Sequence, residues 1–225
     1  MDKRGKTMES HKQQFWDVMQ DINSNGINYV IVRGFLRLPD SGDNDIDLVP
    51  HYTNFDECME IIKKHLDCHW IREYGFAEYA FMNNHSYKTK GPDNDDIAEK
   101  RFYIDTDSSL FFSSPLKNYE TTWVVSHAFN EYVYETKIKK QFDEGFIWIP
   151  STENEITIQI LRNVLDKRGN WKQKSINRVF ALLPHAEKNN LIKSIELTLP
   201  YAQKIVESLY NQDLSSVNKY SLGGC

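Results

Sequence analysis

The chain has 225 residues, a formal net charge of −5, 40% hydrophobic and 26% charged residues, the profile of an ordinary globular protein with one substantial core or a core and a smaller helical companion. The acidic balance argues against an extended nucleic-acid-binding surface. Three cysteines, Cys58, Cys68 and Cys225, argue against a disulfide framework and for a reducing compartment; no apolar stretch is long enough to span a bilayer, and Met1 to Lys12 lacks a signal-peptide segment, so a cytoplasmic location is expected.

Apolar residues at Phe15, Val18, Met19 and Ile22 have helical spacing, and Gly26 is placed to end that helix. An apolar run from Tyr29 to Val32 then enters Arg33 and Gly34, and after a loop the chain returns as Asp45-Ile46-Asp47-Leu48-Val49. Alternation in a strand turns Asp45 and Asp47 to one side and Ile46 and Leu48 to the core. Two carboxylates so placed repel unless a cation lies between them. Oxygen ligands without Cys or His beside them suit Mg²⁺ or Mn²⁺. Gly34 allows a backbone N–H to approach a phosphate closely. A calcium loop through Asp43, Asp45 and Asp47 is excluded, because it needs Gly where Leu48 stands and Glu where Asn54 stands.

An apolar strand ending in Gly, a loop, and D-x-D within a second apolar strand resemble the nucleotidyltransferase superfamily of DNA polymerase β and the kanamycin nucleotidyltransferases. Arg33-Gly34, Leu38-Pro39 and Asp45-Ile46-Asp47-Leu48 resemble more closely the uncharacterised nucleotidyltransferase-like proteins associated with surface-polysaccharide synthesis, and more distantly the phosphocholine and phospho-ribitol transferases of the fukutin-related group. The resemblance implies an α+β fold, a mixed sheet with flanking helices followed by a C-terminal helical bundle. It also implies a nucleoside triphosphate or nucleotide-activated donor, a hydroxyl acceptor, and Mg²⁺ or Mn²⁺. The superfamily usually has Ser after the Gly to hold a phosphate; this chain has Phe35. Arg33, Gly34 and Phe35 are therefore the expected donor contacts from this turn.

Farther on, Thr53 or Asn54 can cap a helix with Phe55, Cys58, Ile62 and Leu66 inward, Cys58 being a core residue and His65 and His69 lying near the helix end. Residues 70–83 suggest one or two strands around Gly75, and residues 85–100 a polar loop with acids at Asp93, Asp95 and Asp96. That loop is either simply solvated or a lid bringing Lys88 and Lys90 to phosphates. Arg101 to Asp107 is strand-like, with Asp105 and Asp107 on one side. The superfamily takes a third carboxylate from a strand beside the D-x-D strand, and the resemblance points to Asp105 for it, with Asp107 in reserve; a strand-end turn is the alternative. Such an acid completes a metal site and can accept the proton of an attacking hydroxyl.

Residues 146–150 read as a short buried strand ended by Pro150. Beyond it Thr152 and Glu155 have capping-box spacing, Ile156, Ile160, Leu161 and Val164 form a stripe, and further helices follow through Val179, from Glu187 and from Pro200. The expected division is a catalytic domain over residues 1–150, a helical domain over 151–212 and a flexible tail over 213–225. Lys167, Arg168, Lys172, Lys174 and Arg178 form a basic patch that either serves phosphates, Lys172 foremost, or solvates helix ends. No repeat, Walker loop, G-x-G-x-x-G, zinc spacing or hydrolase elbow is present. The sequence thus points to metal-dependent phosphoryl or nucleotidyl transfer to a hydroxyl. Its alternatives are a toxin-like nucleotidyltransferase acting on RNA or protein, and an inactive nucleotide-binding or interaction module.

Overall fold

The computed structural model describes residues 3–38, 45–76, 81–90, 103–113, 123–124 and 126–222. It is a mixed α+β protein that divides into two compact units, Met1–Ser109 with Lys137–Ile149, and Leu110–Thr136 with Pro150–Cys225. One division between the units falls between Ile149 and Pro150. Residues 110–136, expected in the first domain, belong to the second unit. The acidic cluster at Asp93, Asp95 and Asp96 lies outside the described residues.

In the first unit, helix α1 (Lys3–Ser24) precedes strand β1 (Tyr29–Arg33), and Gly26 with φ +70° ends the helix. Strand β2 (Asp45–Pro50), helix α2 (Phe55–His65) and strands β3 (Leu66–Phe76), β4 (Phe81–Thr89) and β5 (Tyr103–Asp107) follow. The sheet order is β1-β2-β5-β4-β3, with β2 and β5 parallel and the other neighbours antiparallel. One face is apolar: Ile31, Ile46, Leu48, Tyr87 and Ile104 form a single core with Phe15, Val18, Met19 and Ile22 of α1 and Phe55, Cys58 and Ile62 of α2. Cys58 is the core residue expected, and burial pushes its thiol up to about 12, which leaves it unreactive.

Three local readings differ. His69 lies within β3 rather than at the end of α2, while His65, the last residue of α2, pairs with Asp21 at 2.7 Å. Gly75 sits in β3 rather than in a turn. His85 to Thr89, which the sequence offers as loop, are the second half of β4, because Tyr87 and Thr89 turn fully inward, Tyr87 into the core, behind polar residues that mask the pattern in the sequence.

The second unit contains the short pair β6 (Phe112–Ser113) and β7 (Trp123–Val124) and helix α3 (His127–Thr136). The hairpin β8 (Ile138–Gln141) and β9 (Phe146–Ile149) returns to the first unit beside β1. Helices α4 (Thr152–Leu161), α5 (Gln173–Leu182), α6 (Lys188–Glu196), α7 (Ala202–Tyr210) and α8 (Leu214–Ser221) complete the second unit. Ser151, not Thr152, caps α4 by accepting from the Asn154 N–H, and Glu187, where the sequence starts the helix, is the cap of α6. The expected flexible tail instead carries α8, which packs on α7, buries Val217 and is capped by Asp213 accepting from the Ser216 N–H. Among the described residues no helix is long and apolar enough to cross a membrane.

Candidate active site

The sheet face opposite the core collects the acids. Asp45 and Asp47 alternate with buried Ile46 and Leu48 on β2, and Asp105 and Asp107 alternate with buried Ile104 and Thr106 on β5. Because β2 and β5 run parallel in register, Asp47 lies opposite Asp105 and Asp45 opposite Tyr103. On the strand beside the D-x-D strand, Asp105 stands directly beside Asp47, and Asp107 one step beyond.

Strand β4 supplies the partners of these acids, residue for residue: Asn84 opposes Asp107, Ser86 opposes Asp105, and Lys88 opposes Tyr103. Directly opposed residues share a face, so Lys88 joins the acid side. The Asn84 amide donates to Asp107 Oδ1, and the Ser86 side chain hydrogen-bonds Asp105. The His69 ring meets Tyr103 edge to face at 5.7 Å. The sequence does not single out Asn84, which lies between the strands expected over 70–83 and the loop expected over 85–100, nor Ser86 within that loop, where there is no register to read.

Crowding shows in the acidities. Burial, and then the carboxylates of Asp47 and Asp105, push Asp107 up to about 7 against the Asn84 hydrogen bond and the Arg33 charge. Burial chiefly, with Asp45 adding, raises Asp105 above the usual carboxylate range, opposed by Ser86, Arg33 and His69.

Arg33 answers part of this negative charge. Its Nε lies 2.6 Å from Asp47 Oδ2 and its Nη2 donates to Asp47 Oδ1 at 2.7 Å, a two-point contact. A guanidinium from β1 thus already holds one of the two carboxylates expected to meet a cation. The pair is not sealed: 35% of the Arg33 side chain is exposed, against 15% for Asp47.

Of the other two residues of this turn, Gly34 packs against β2 and Phe35 lies in the core. Gly34 has φ +86°, and a Cβ there would stand 2.6 Å from the Asp45 carbonyl oxygen and 2.9 Å from Ile46 Cα. Its space is thus filled by β2, and the glycine fixes where Asp45 begins. Phe35 is a core residue, 3% exposed, and its carbonyl accepts from Lys140 Nζ at 3.0 Å; its side chain is not presented to a donor. Lys90 is drawn toward the opposite side, its N–H donating to Gln14 Oε1 and its Nζ to the Lys64 carbonyl at the end of α2.

The basic patch is partly structural. Arg178 forms a two-point ion pair with Glu155, Nε to Oε1 at 2.6 Å and Nη2 to Oε2 at 2.7 Å, with the Glu155 side chain only 7% exposed. Lys172, Lys174, Lys167 and Arg168 are exposed on the second unit.

The donor set suits a hard cation: acids on adjacent parallel strands, all oxygen, with Asp105 and Asp107 held above the usual carboxylate range chiefly by burial. Among the described residues no three such groups form a ready metal cage, and Asp47 gives both oxygens to Arg33. Asp45, Asp47 and Asp105 have the chemistry to hold a divalent cation once Asp47 is released.

No protein-family model matches the chain, and no curated protein matches it. Among solved structures it is similar to an antigenic nucleotidyltransferase-like protein from Paracoccidioides brasiliensis, at 14% identity and a TM-score of 0.46 over 96% of this chain and 95% of that one. It is also similar to the antibiotic-resistance factor ANT(2'')-Ia, at 11% identity and 0.41 over 92% and 94% of the two chains. A third similar structure, JHP933 from Helicobacter pylori, aligns at 10% identity and 0.41 over 95% and 80%. Similarities at these levels leave the functional reading to the acid face itself.

Proposed function

We propose that this protein transfers a phosphoryl or nucleotidyl group from a nucleotide donor to a hydroxyl acceptor, with Mg²⁺ or Mn²⁺ held by Asp45 and Asp47. The observation that supports this reading most is the in-register pairing of Asp47 with Asp105 on parallel strands, flanked by Asp45 and Asp107 on the same face. A cation there would neutralise the donor phosphates and the departing oxygen. Asp105 accepts the acceptor's proton: burial raises its basicity above that of an ordinary aspartate, and Ser86 fixes its carboxylate. Asp107, pinned by Asn84 and close to half protonated at neutrality, limits the negative charge that the donor meets. Lys88 and Arg33 supply the positive charge on this face that suits the donor phosphates.

For the acceptor, the resemblance of Arg33-Gly34, Leu38-Pro39 and Asp45 to Leu48 supports a hydroxyl of a surface-polymer precursor. The test is a transfer assay with Mg²⁺, nucleoside triphosphates and CDP-linked donors. Product formation that falls on the order of 10²-fold or more in Asp45→Asn and Asp105→Asn supports the proposal, and undiminished turnover in both variants rejects it.

One observation favours a second reading. The two-point grip of Arg33 on Asp47 is what a catalytically silent module would retain, binding a nucleotide without metal. Calorimetric titration separates the two: nucleotide binding that ignores Mg²⁺ and survives Asp47→Asn belongs to the silent module.

A further inference from the structure

The ladder between β1 and β2 pairs Ile31 with Leu48, both in the core, and then skips, pairing Arg33 rather than Val32 with Asp47. By simple alternation Arg33 would follow Ile31 into the core. The extra residue in β1 turns it to the acid face and onto Asp47, a re-aiming that bulges perform in sheets. Gly34 follows at once, wedged against the Asp45 carbonyl in a conformation that only glycine adopts easily, so the base of the arginine is fixed against β2 while its side chain stays one-third exposed. The pair is therefore built into the backbone and is still accessible to an exchanging ligand.

We infer that Arg33 is an internal stand-in for the divalent cation, which yields Asp47 to the metal only when a phosphate chain arrives to take the guanidinium. This rests on the proposed function and adds to it an obligatory coupling of metal and donor. Metal alone must displace a cation from Asp47 and leave that cation unpaired beside a second positive charge. A phosphate chain alone meets a face crowded with carboxylates. When both arrive, each negative group keeps a positive partner: Asp47 holds the metal, and the phosphate receives the same two-point contact from Arg33 that Asp47 gave up. Coupling of this kind is reciprocal and amounts to tens-fold in affinity. It would keep the site from holding a cation with no donor present.

The experiment compares wild type and Arg33→Gln, using Mn²⁺ alone and a preformed complex of Mn²⁺ with inorganic tripolyphosphate as probes, read by electron paramagnetic resonance and calorimetry. The inference expects opposite signs: the variant binds Mn²⁺ alone about tenfold tighter and the Mn²⁺–tripolyphosphate complex about tenfold more weakly. Asp47→Asn should abolish the gain for Mn²⁺. Unchanged Mn²⁺ affinity in Arg33→Gln, or weakening of both probes, overturns the inference while leaving the proposed function standing. If wild type binds neither probe, or binds both equally well after Asp47→Asn, the proposed function falls with it. Should Arg33→Gln not fold, Arg33→Lys keeps the charge with a single contact, and both affinities must then shift in the same opposite directions by smaller factors. No shift in that variant also overturns the inference.

Discussion

Arg33 and Asp47 meet in a two-point ion pair at 2.6 and 2.7 Å, although Arg33 stands two positions beyond Ile31, whose side chain lies in the core on the other face of the sheet. The bulge that reconciles these placements ties the geometry of β1 to the charge of β2. The glycine that follows is accordingly a sensitive position.

Gly34→Ala should destabilise the protein by about 1–3 kcal/mol, because it adds left-handed backbone strain to a Cβ pressed against the Asp45 carbonyl and Ile46 Cα. Urea unfolding checks the value. A cost comparable to an ordinary surface substitution, under about 0.5 kcal/mol, would mean that β2 shifts freely.

Asp107 gives a pH dependence of defined sign. Its folded pKa, raised to about 7 by burial and by Asp47 and Asp105, lies above the ordinary value of 3.8, so between those limits the folded state binds more protons than the unfolded state. Stability attributable to this group is therefore full below about pH 4 and is lost as pH rises through 7. Asp107→Asn removes the penalty. Its melting temperature should exceed that of wild type at pH 8, and the gap should close toward pH 5, as read by thermal melts across that range.

In the second unit, Arg178 and Glu155 form the kind of covered ion pair whose breakage is costly. Arg178→Met should destabilise by about 3–5 kcal/mol by leaving the Glu155 carboxylate stranded, whereas the double variant with Glu155→Leu should recover most of that loss. Chemical denaturation of the four proteins of this cycle measures it. A near-zero cost for the single change would return Arg178 to the solvated patch.

The acid face was legible because alternation is rigid: once Ile46, Leu48 and Ile104 are assigned inward, Asp45, Asp47 and Asp105 must face together. The α1 stripe of Phe15, Val18, Met19 and Ile22 was legible for the same reason at helical period. What escaped depends on one-residue offsets or on partners far apart in sequence. The bulge leaves no mark in the run Tyr29 to Arg33, so the sequence offers Arg33 as a donor contact and not as the partner of Asp47. His85 to Thr89 looked like loop, because the two inward positions that make it a strand, Tyr87 and Thr89, are polar by type. Nothing in the sequence marks Asn130; its amide donates to the Leu110 carbonyl and its oxygen accepts from the Leu110 N–H, closing a strand-like pair that only the fold creates. Helix α8 was hidden by its Ser and Asn content, although Asp213 three positions before Ser216 was a capping signal in plain view.

The central claim is that Asp45 and Asp47 carry a cation bearing a phosphorylated donor. It is tested most directly by anomalous diffraction from crystals of the protein soaked with Mn²⁺ and a nucleoside triphosphate. The account predicts a manganese peak in coordination contact with both carboxylates, with donor phosphate density beside it and Arg33 turned from Asp47 to that phosphate. Nucleotide density elsewhere on the molecule, with Arg33 still seated on Asp47 and no manganese at Asp45, would contradict it.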